Sequence, residues 1–415
     1  MSTRYSLVVY GATGAAGQAI ALELAHLLAA RKDKQVRWAL GGRNKDTLKR
    51  VQQRIRDETG QVPDLVIARI QRTAELTELC ESTLVLINAV GPFRFAGEYV
   101  LRACLEAKCH YMDLSDEPEF WYRMHRIYHE RLASSKLLAV LGCGGYPMLC
   151  NVAPLLLQHP KCSTAPSVDL SDVRMYLSPL QTIPFLDPVL TPTRYESIVH
   201  SFAALPMLST YTDDSDAKMK ARDKGRHPRR ADTALRHAVR ARGPVQHLQH
   251  FAEYLALHTP STDPPNHTTL SSIYYVCPSW FAKLLTLCLM WLFSILTLMP
   301  WGRSILNMYA DKLCKRQDAV AFATNDDADD IFSLRIVPNP DVSKSPSISP
   351  GVIVLRGPHS SYSITAPLVA HSAQRLLDKM DKDQSIPHGV VTPAILFDAS
   401  FTLEVLKASA IDISF

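Results

Sequence analysis

Leu7-Val8-Val9-Tyr10-Gly11-Ala12-Thr13-Gly14-Ala15-Ala16-Gly17 decides the fold. A short β-branched run ends in regularly spaced glycines, and an apolar-periodic segment follows. That is a strand, a tight turn and a helix start, in the order a dinucleotide site requires. Gly11 allows turn dihedrals that a side chain would disfavour. Gly14 lets the backbone approach a pyrophosphate, and Gly17 lets the helix lie close on the strand. The unpaired N–H groups and positive end of that helix then face the phosphates. The spacing is G-x-x-G-x-x-G rather than the commoner G-x-G-x-x-G, and such glycines also mark plain turns. Their place directly after a strand favours nucleotide binding, with Gly11, Ala12, Thr13, Gly14, Ala16 and Gly17 as contact residues.

The chain around this stretch has 415 residues, too many for one ordinary core, and suits two domains. Hydrophobic residues at 47% and charged residues at 20% describe a folded protein, slightly on the apolar side. A formal net charge of +5 is modest for this length and does not indicate nucleic acid. The nine cysteines are scattered, without a C-x-x-C pair or histidines at zinc spacing, so no metal site is expected. Such a set reads as reduced thiols of an intracellular protein. Met1–Arg4 leads straight into the first strand, so no cleaved targeting peptide is expected.

After the fingerprint, Val36–Leu40 reads as the second strand, followed by Gly41-Gly42-Arg43-Asn44. An NAD site places an acidic residue at this position, to accept from the ribose 2′-hydroxyl. Here Arg43 stands there, with Asn44 beside it and Lys45 next. A cation can pair with a 2′-phosphate, so NADP is favoured over NAD, although Arg43 also suits a surface cation opening the next helix. Leu65–Ile70, Thr83–Asn88, His110–Leu114 and Leu137–Leu141 read as further strands alternating with helices, a six-strand parallel sheet. Thr83–Asn88 is nearly unbroken apolar, as a central strand covered on both faces should be. Asn88, Ala89, Val90, Gly91 and Pro92 at its carboxyl end should face the nicotinamide half of the cofactor.

The segments Gly11–Gly17, Trp38–Arg43, Asn88–Gly97 (NAVGPFRFAG), His110–Glu117 (HYMDLSDE) and Gly142–Pro147 (GCGGYP) resemble the saccharopine dehydrogenase-like oxidoreductases, a family that includes trans-acting enoyl reductases of lipid synthesis. The resemblance resumes at His388–Ala394, of the form G-G-V-x-T-P-A, and is poor in the middle of the chain. It implies an NADP-type Rossmann domain, a second α+β domain, and membrane or lipid-droplet association in eukaryotic members. Where the family reads G-C-G-F-D-S-I-P, this chain reads Gly142-Cys143-Gly144-Gly145-Tyr146-Pro147. The Asp-Ser pair is missing, and any role it has does not carry over.

The second half changes character. Ten Lys or Arg residues lie between Lys218 and Arg242, against Asp223 and Asp232. A solvated insertion or a patch for anionic headgroups both fit. No aromatic is interleaved, which disfavours single-strand nucleic acid. Trp280-Phe281-Ala282-Lys283 then leads into Leu284–Met299, without charge or glycine, closed by Pro300-Trp301-Gly302-Arg303. This length is borderline for a span, and tryptophans at both ends suit membrane interfaces. Monotopic insertion is favoured over a crossing, which would put parts of one folded domain on opposite sides. Asp326–Asp330 lacks the spacing and glycine of a calcium loop. Pro338–Pro350 reads as a loop, Ile353–Leu355 and Tyr362–Ile364 as paired strands, Leu368–Met380 as a helix, and Thr392–Lys407 as a helix returning to the first domain.

The expected architecture is therefore α/β. A Rossmann doubly wound parallel sheet occupies 1–160, and a second α+β domain 161–365 holds a basic insertion (213–270) and an apolar membrane-associating segment (280–303). C-terminal helices occupy 366–415. Candidate acids at the sheet edge are Tyr111, Asp113, Asp116 and Tyr146, with Asp113 and Tyr146 singled out as catalytic candidates. The Tyr-x-x-x-Lys pair of short-chain reductases is absent: Tyr99 is followed four on by Ala103, Tyr122 by Arg126. Two readings stand. One is an NADP-dependent, membrane-attached reductase of an enoyl or related lipid-like substrate; the other is a non-catalytic NADP(H)-binding membrane or lipid-droplet protein. The expected location is intracellular, at a lipid droplet, endoplasmic reticulum or mitochondrial membrane. A homodimer is left open, and nucleic acid is not an expected partner.

Overall fold

A computed structural model describes residues 4–31, 36–160, 173–178, 190–211, 238–241, 244–258, 271–308, 331–338, 352–358, 361–382 and 384–414. The first half alternates strand and helix: β1 (Tyr5–Tyr10), α1 (Ala15–Ala30), β2 (Trp38–Gly42), α2 (Lys45–Thr59), β3 (Asp64–Ile67), α3 (Thr73–Glu81), β4 (Thr83–Asn88), α4 (Phe93–Glu106), β5 (His110–Asp113), α5 (Pro118–Ser134) and β6 (Leu138–Val140). Local chemistry sets the boundaries. Asn44 caps α2, its side-chain oxygen accepting from Asp46 N and Thr47 N at 3.0 Å, and Gly60 ends the helix in the left-handed conformation. Leu48, Val51 and Ile55 form the buried stripe between.

The strands pair in parallel in the order 3-2-1-4-5-6, and one more strand joins beside β6. That seventh strand is β12 (Gly389–Val391), from near the C-terminal end, in register with Leu138–Val140. The six-strand expectation is corrected to seven. Three residues without alternation carry too little pattern to announce a strand.

The remaining strands and α-helices among the described residues are α6 (Gly145–Val152), β7 (Val173–Ser178), α7 (Pro192–Ala204), β8 (Ala238–Arg240), α8 (Pro244–His258), β9 (Ser271–Val276), α9 (Trp280–Leu298), α10 (Pro300–Met308), β10 (Ile331–Pro338), β11 (Ile353–Pro358), α11 (Ser361–Asp381), α12 (Pro393–Leu396), α13 (Ala399–Ala408) and β13 (Asp412–Ser414). A second, mixed sheet runs β13-β11-β10-β7-β9-β8, with only β7 and β9 parallel. Tyr362–Ile364 is helix rather than strand. Ile364, Leu368 and Val369 are buried at helical spacing, so the helix read from Leu368 starts seven residues earlier, and β11 takes β10 and β13 as its partners. The single helix expected over Thr392–Lys407 is two, because Asp398 caps a fresh start by accepting from Phe401 N at 2.7 Å.

One apolar core joins the two sheets. It runs from Leu7, Val9 and Ile20 through Met148 and Leu156 to Phe332, Leu334 and Leu355. Helix α11 lies along α1, tied by an Arg31–Asp378 ion pair of 2.9 Å. Most of the basic run and all of Asp326–Asp330 fall outside the described residues, as does Pro338–Pro350 beyond its first residue.

Helix α9 is apolar all round, yet only one stripe is covered. Thr286, Met290, Phe293 and Thr297 are buried, Phe293 against Tyr195, Ile198, Val199 and Phe202 of α7. Trp280, Phe281, Leu284, Trp291, Leu292 and, beyond the helix, Trp301 are all about half exposed or more. This is the reverse of a soluble surface helix, which turns its large apolar side chains inward.

Candidate functional site

A cavity of about 310 Å³ opens at the carboxyl edge of the parallel sheet. One wall is the fingerprint. Gly11 has φ +88°, and a Cβ there would stand 2.8 Å from Val90 and 2.9 Å from Ala89. A Cβ on Gly17 would fall 2.2 Å from Gly11 O, so this glycine lets α1 start hard against the turn. Gly14 differs. Its φ is ordinary, and a Cβ would meet only Gly11 O, at 3.5 Å. Nothing in the fold demands a glycine at 14, and its place on the cavity wall fits clearance for a bound pyrophosphate.

Gly11, Thr13, Gly14, Ala16, Arg43, Ala89, Val90 and Gly91 line the cavity among the expected cofactor residues. Ala12, Gly17, Asn44, Asn88 and Pro92 do not. Asn44 is engaged as the α2 cap. Arg43 lies beyond β2, exposed, with no acidic residue among the lining at that end, and the donor set fits a 2′-phosphate.

Asn88 and Asp113 belong to a buried network behind the wall. Asn88 Nδ2 donates to Tyr111 Oη (3.0 Å), and Tyr111 Oη donates to Asp113 Oδ2 (2.9 Å). Asp113 Oδ1 accepts from Ser115 N, Ser115 Oγ and Gly142 N, and Trp121 Nε1 donates to Ser115 Oγ. Asn88 Oδ1 also accepts from Val90 N at 3.0 Å. The network therefore fastens together the loops leaving β4, β5 and β6, which carry the cavity wall. Burial pushes the Asp113 carboxyl up to about 6, against the pull of these hydrogen bonds. Tyr146 is buried in the core, edge-on to Phe332 with ring centroids 5.7 Å apart. The structure brings neither catalytic candidate to the cavity.

Residues distant in sequence take that place. Thr191, Thr193, Arg194 and Ser197, from the start of α7, face the cavity with Asp116, Gly144, Gly145 and Thr365. Thr191 caps α7, and Pro192 occupies its first turn, a start signal legible in Thr191-Pro192. Arg194 Nε lies 3.9 Å from Asp116 Oδ2. Burial raises the Asp116 pKa while Arg194 opposes the rise. Next to it Glu117 accepts from Phe93 N, Arg94 N and Ser197 Oγ at 2.6–2.8 Å, joining α4 to α7. Burial first, then the Asp116 charge, push Glu117 up to about 7. The cavity can thus hold an extended anion along its glycine wall, with a cation near each end and one carboxylate beyond β5.

Comparison with known proteins bears on the first sheet. Residues 7–140 match the family described as the saccharopine dehydrogenase NADP binding domain. The saccharopine dehydrogenase-like oxidoreductase of Rattus norvegicus is 33% identical over 148 residues, 34% of this chain and 34% of the relative. A protein of Caenorhabditis elegans named lipid droplet localized protein is 30% identical over 145 residues, 34% of this chain and 33% of its own. The trans-acting enoyl reductase of Mycobacterium ulcerans is 31% identical over 140 residues, covering 34% and 32%. The match spans about a third of each relative. Over this stretch the resemblance read from the motifs holds, the fold is the expected Rossmann type, and the matching domain is one that binds NADP.

Proposed function

We propose that the protein is an NADP-dependent oxidoreductase that reduces a lipid-like substrate, an enoyl or related compound, at an intracellular membrane or lipid-droplet surface. One observation carries the reading. Helix α7 gives Thr193, Arg194 and Ser197 to the nucleotide-type cavity and gives Tyr195, Ile198, Val199 and Phe202 to the outwardly apolar α9. A surface suited to lipid and a cleft suited to NADP thus share one helix. The covered stripe runs from Thr286 to Thr297 along one side of α9, which suits lying in an interface more than crossing it. The names of the worm and mycobacterial relatives point the same way.

When bound, the nicotinamide supplies the hydride. The chain's own part is to hold the phosphates on Gly11–Ala16, select the 2′-phosphate with Arg43, and exclude water between the β5 loop and α7. The test is NADPH oxidation with long-chain enoyl thioesters presented in phospholipid vesicles. Turnover that requires both vesicles and Arg43 is the expected result. Tight NADPH binding without oxidation across the panel would favour a non-catalytic NADP(H)-binding membrane protein, consistent with Asp113 and Tyr146 standing outside the cavity.

A further inference from the structure

In the loop after β6 the chain departs from the motif it resembles, with Gly145-Tyr146 where that motif carries an Asp-Ser pair. The cavity nevertheless holds a carboxylate. Among the described lining residues, Arg43 and Arg194 are the cations and Asp116 the one acid. Tyr10 lines the cavity too, but its hydroxyl donates to Ala68 O at 3.2 Å. The remaining polar side chains are Gln71 and the hydroxyls of threonines and of Ser197, whose Oγ donates to Glu117. None of these changes protonation near neutrality.

Position tells which half of the cofactor Asp116 meets. In a doubly wound sheet the nucleotide lies across the switch point, here between β1 and β4, with the pyrophosphate at the α1 start. Arg43, after β2, marks the adenosine side. The other half then lies over β4 and β5, where Ala89–Gly91 and Asp116 line the cavity. Ser201 Oγ, on α7, donates to Asp116 O at 3.1 Å and fixes the loop.

We propose that Asp116 is the acid–base residue of this cleft, placed against the nicotinamide ring, with Arg194 as its positioning partner. The inference rests on the NADP-reductase reading. In the reductive direction the hydride's electron pair forms the new C–H bond and the substrate π bond opens. The negative charge left on the neighbouring carbon or oxygen takes the proton from the Asp116 carboxyl, whose O–H bond breaks. Oxidised cofactor and an Asp116 carboxylate remain, and solvent returns the proton. The carboxylate faces Arg194 from α7, with Glu117 beside it on its own loop; burial favours the proton on Asp116 and the guanidinium favours the ionised form, while the Asp116 charge in turn raises Glu117.

The test reads the cofactor alone, because NADP⁺ carries a cationic ring and NADPH does not. Dissociation constants for both are measured from about pH 5 to pH 8 on the full chain and on Asp116→Asn, Asp116→Glu and Arg194→Gln. Ionised Asp116 should tighten NADP⁺ as pH rises, giving a wild-type NADP⁺ to NADPH preference about three- to tenfold greater at the upper end. Asp116→Asn should flatten that dependence, with NADPH changed by less than about twofold, and Asp116→Glu should keep it. Arg194→Gln should move its midpoint to higher pH, and decides the matter if the asparagine variant does not fold. A preference identical and pH-independent in wild type and variants overturns the proposal. Failure of wild type to bind either nucleotide instead overturns the NADP reading beneath it.

Discussion

Phe293 of α9 meets Phe202 of α7 edge-on, their centroids 5.2 Å apart and their planes at 89°. Three residues before Phe202, Val199 belongs to the same apolar cluster, and Ser197, two further back, lines the cleft. One helix, α7, therefore touches both α9 and the cavity.

This contact separates two kinds of substitution. Trp280, Trp291 and Trp301 are 59–66% exposed and hold little of the fold together. Replacing all three by serine should leave the melting temperature within a few degrees, about the effect of surface changes. Each half-buried aromatic contributes roughly 1 kcal/mol on entering lipid, so the triple variant should lose vesicle flotation. Phe293→Ala removes a buried ring and should cost about 3 kcal/mol in stability. If the triple variant still floats with wild-type vesicles, α9 is not the attachment surface.

The glycines make a second contrast. Gly17→Ala places a methyl 2.2 Å from Gly11 O and should destabilise the first domain by on the order of 3 kcal/mol, seen as a lowered melting temperature. Gly14→Ala meets no such obstacle, only Gly11 O at 3.5 Å. It should fold, losing less than about 1 kcal/mol, but weaken NADPH binding about tenfold by obstructing the phosphates. Equal loss of stability in both would assign Gly14 a structural role.

These residues also mark how far the sequence could be read. The strand–glycine–helix pattern is local, so β1, α1 and the cavity's glycine wall were legible, as was the missing acid at Arg43. Orientation is not local. Asn88 and Asp113 end strands at the right edge, but tertiary packing turns both side chains away from the cavity into the network with Tyr111 and Ser115. The α7 residues lie about 80 positions beyond β5, and only the fold brings Ser197 to Glu117. Gly389–Val391 is a strand because Leu138–Val140 offers it an edge, not because of any pattern of its own.

Arg43 should decide cofactor choice. It stands on the cavity wall beyond β2, and Asp116, after β5, is the one acidic residue among the described lining. Arg43→Ala should weaken NADPH by about tenfold to a hundredfold, the range for a charge-assisted contact, and NADH by less than about twofold. Nucleotide fluorescence titration reads both. A variant equally weakened for NADH would mean that Arg43 supports the loop and not a 2′-phosphate.

The seam between β5 and β6 gives a prediction in pH. His110 Nδ1 accepts from Leu138 N at 3.1 Å, which requires the neutral ring at that nitrogen, and burial, with the nearby His388 and Arg4, holds its pKa down to about 4. His129, whose Nδ1 accepts from Val390 N at 3.2 Å, is also lowered by burial. Above the ordinary histidine value of roughly 6.5 both states carry a neutral His110, and it contributes no pH dependence. Between there and about 4 the unfolded chain binds a proton that the folded chain refuses, so stability falls as pH falls. Asp113 and Glu117, raised by burial to about 6 and about 7, slope the other way, since the unfolded carboxyls ionise first as pH rises. The His110 share is therefore read as a difference. From about pH 7 to pH 4.5, wild type should lose roughly 2–3 kcal/mol more than His110→Gln in denaturant titrations. Parallel stability curves for the two proteins would show that the seam tolerates a charged His110.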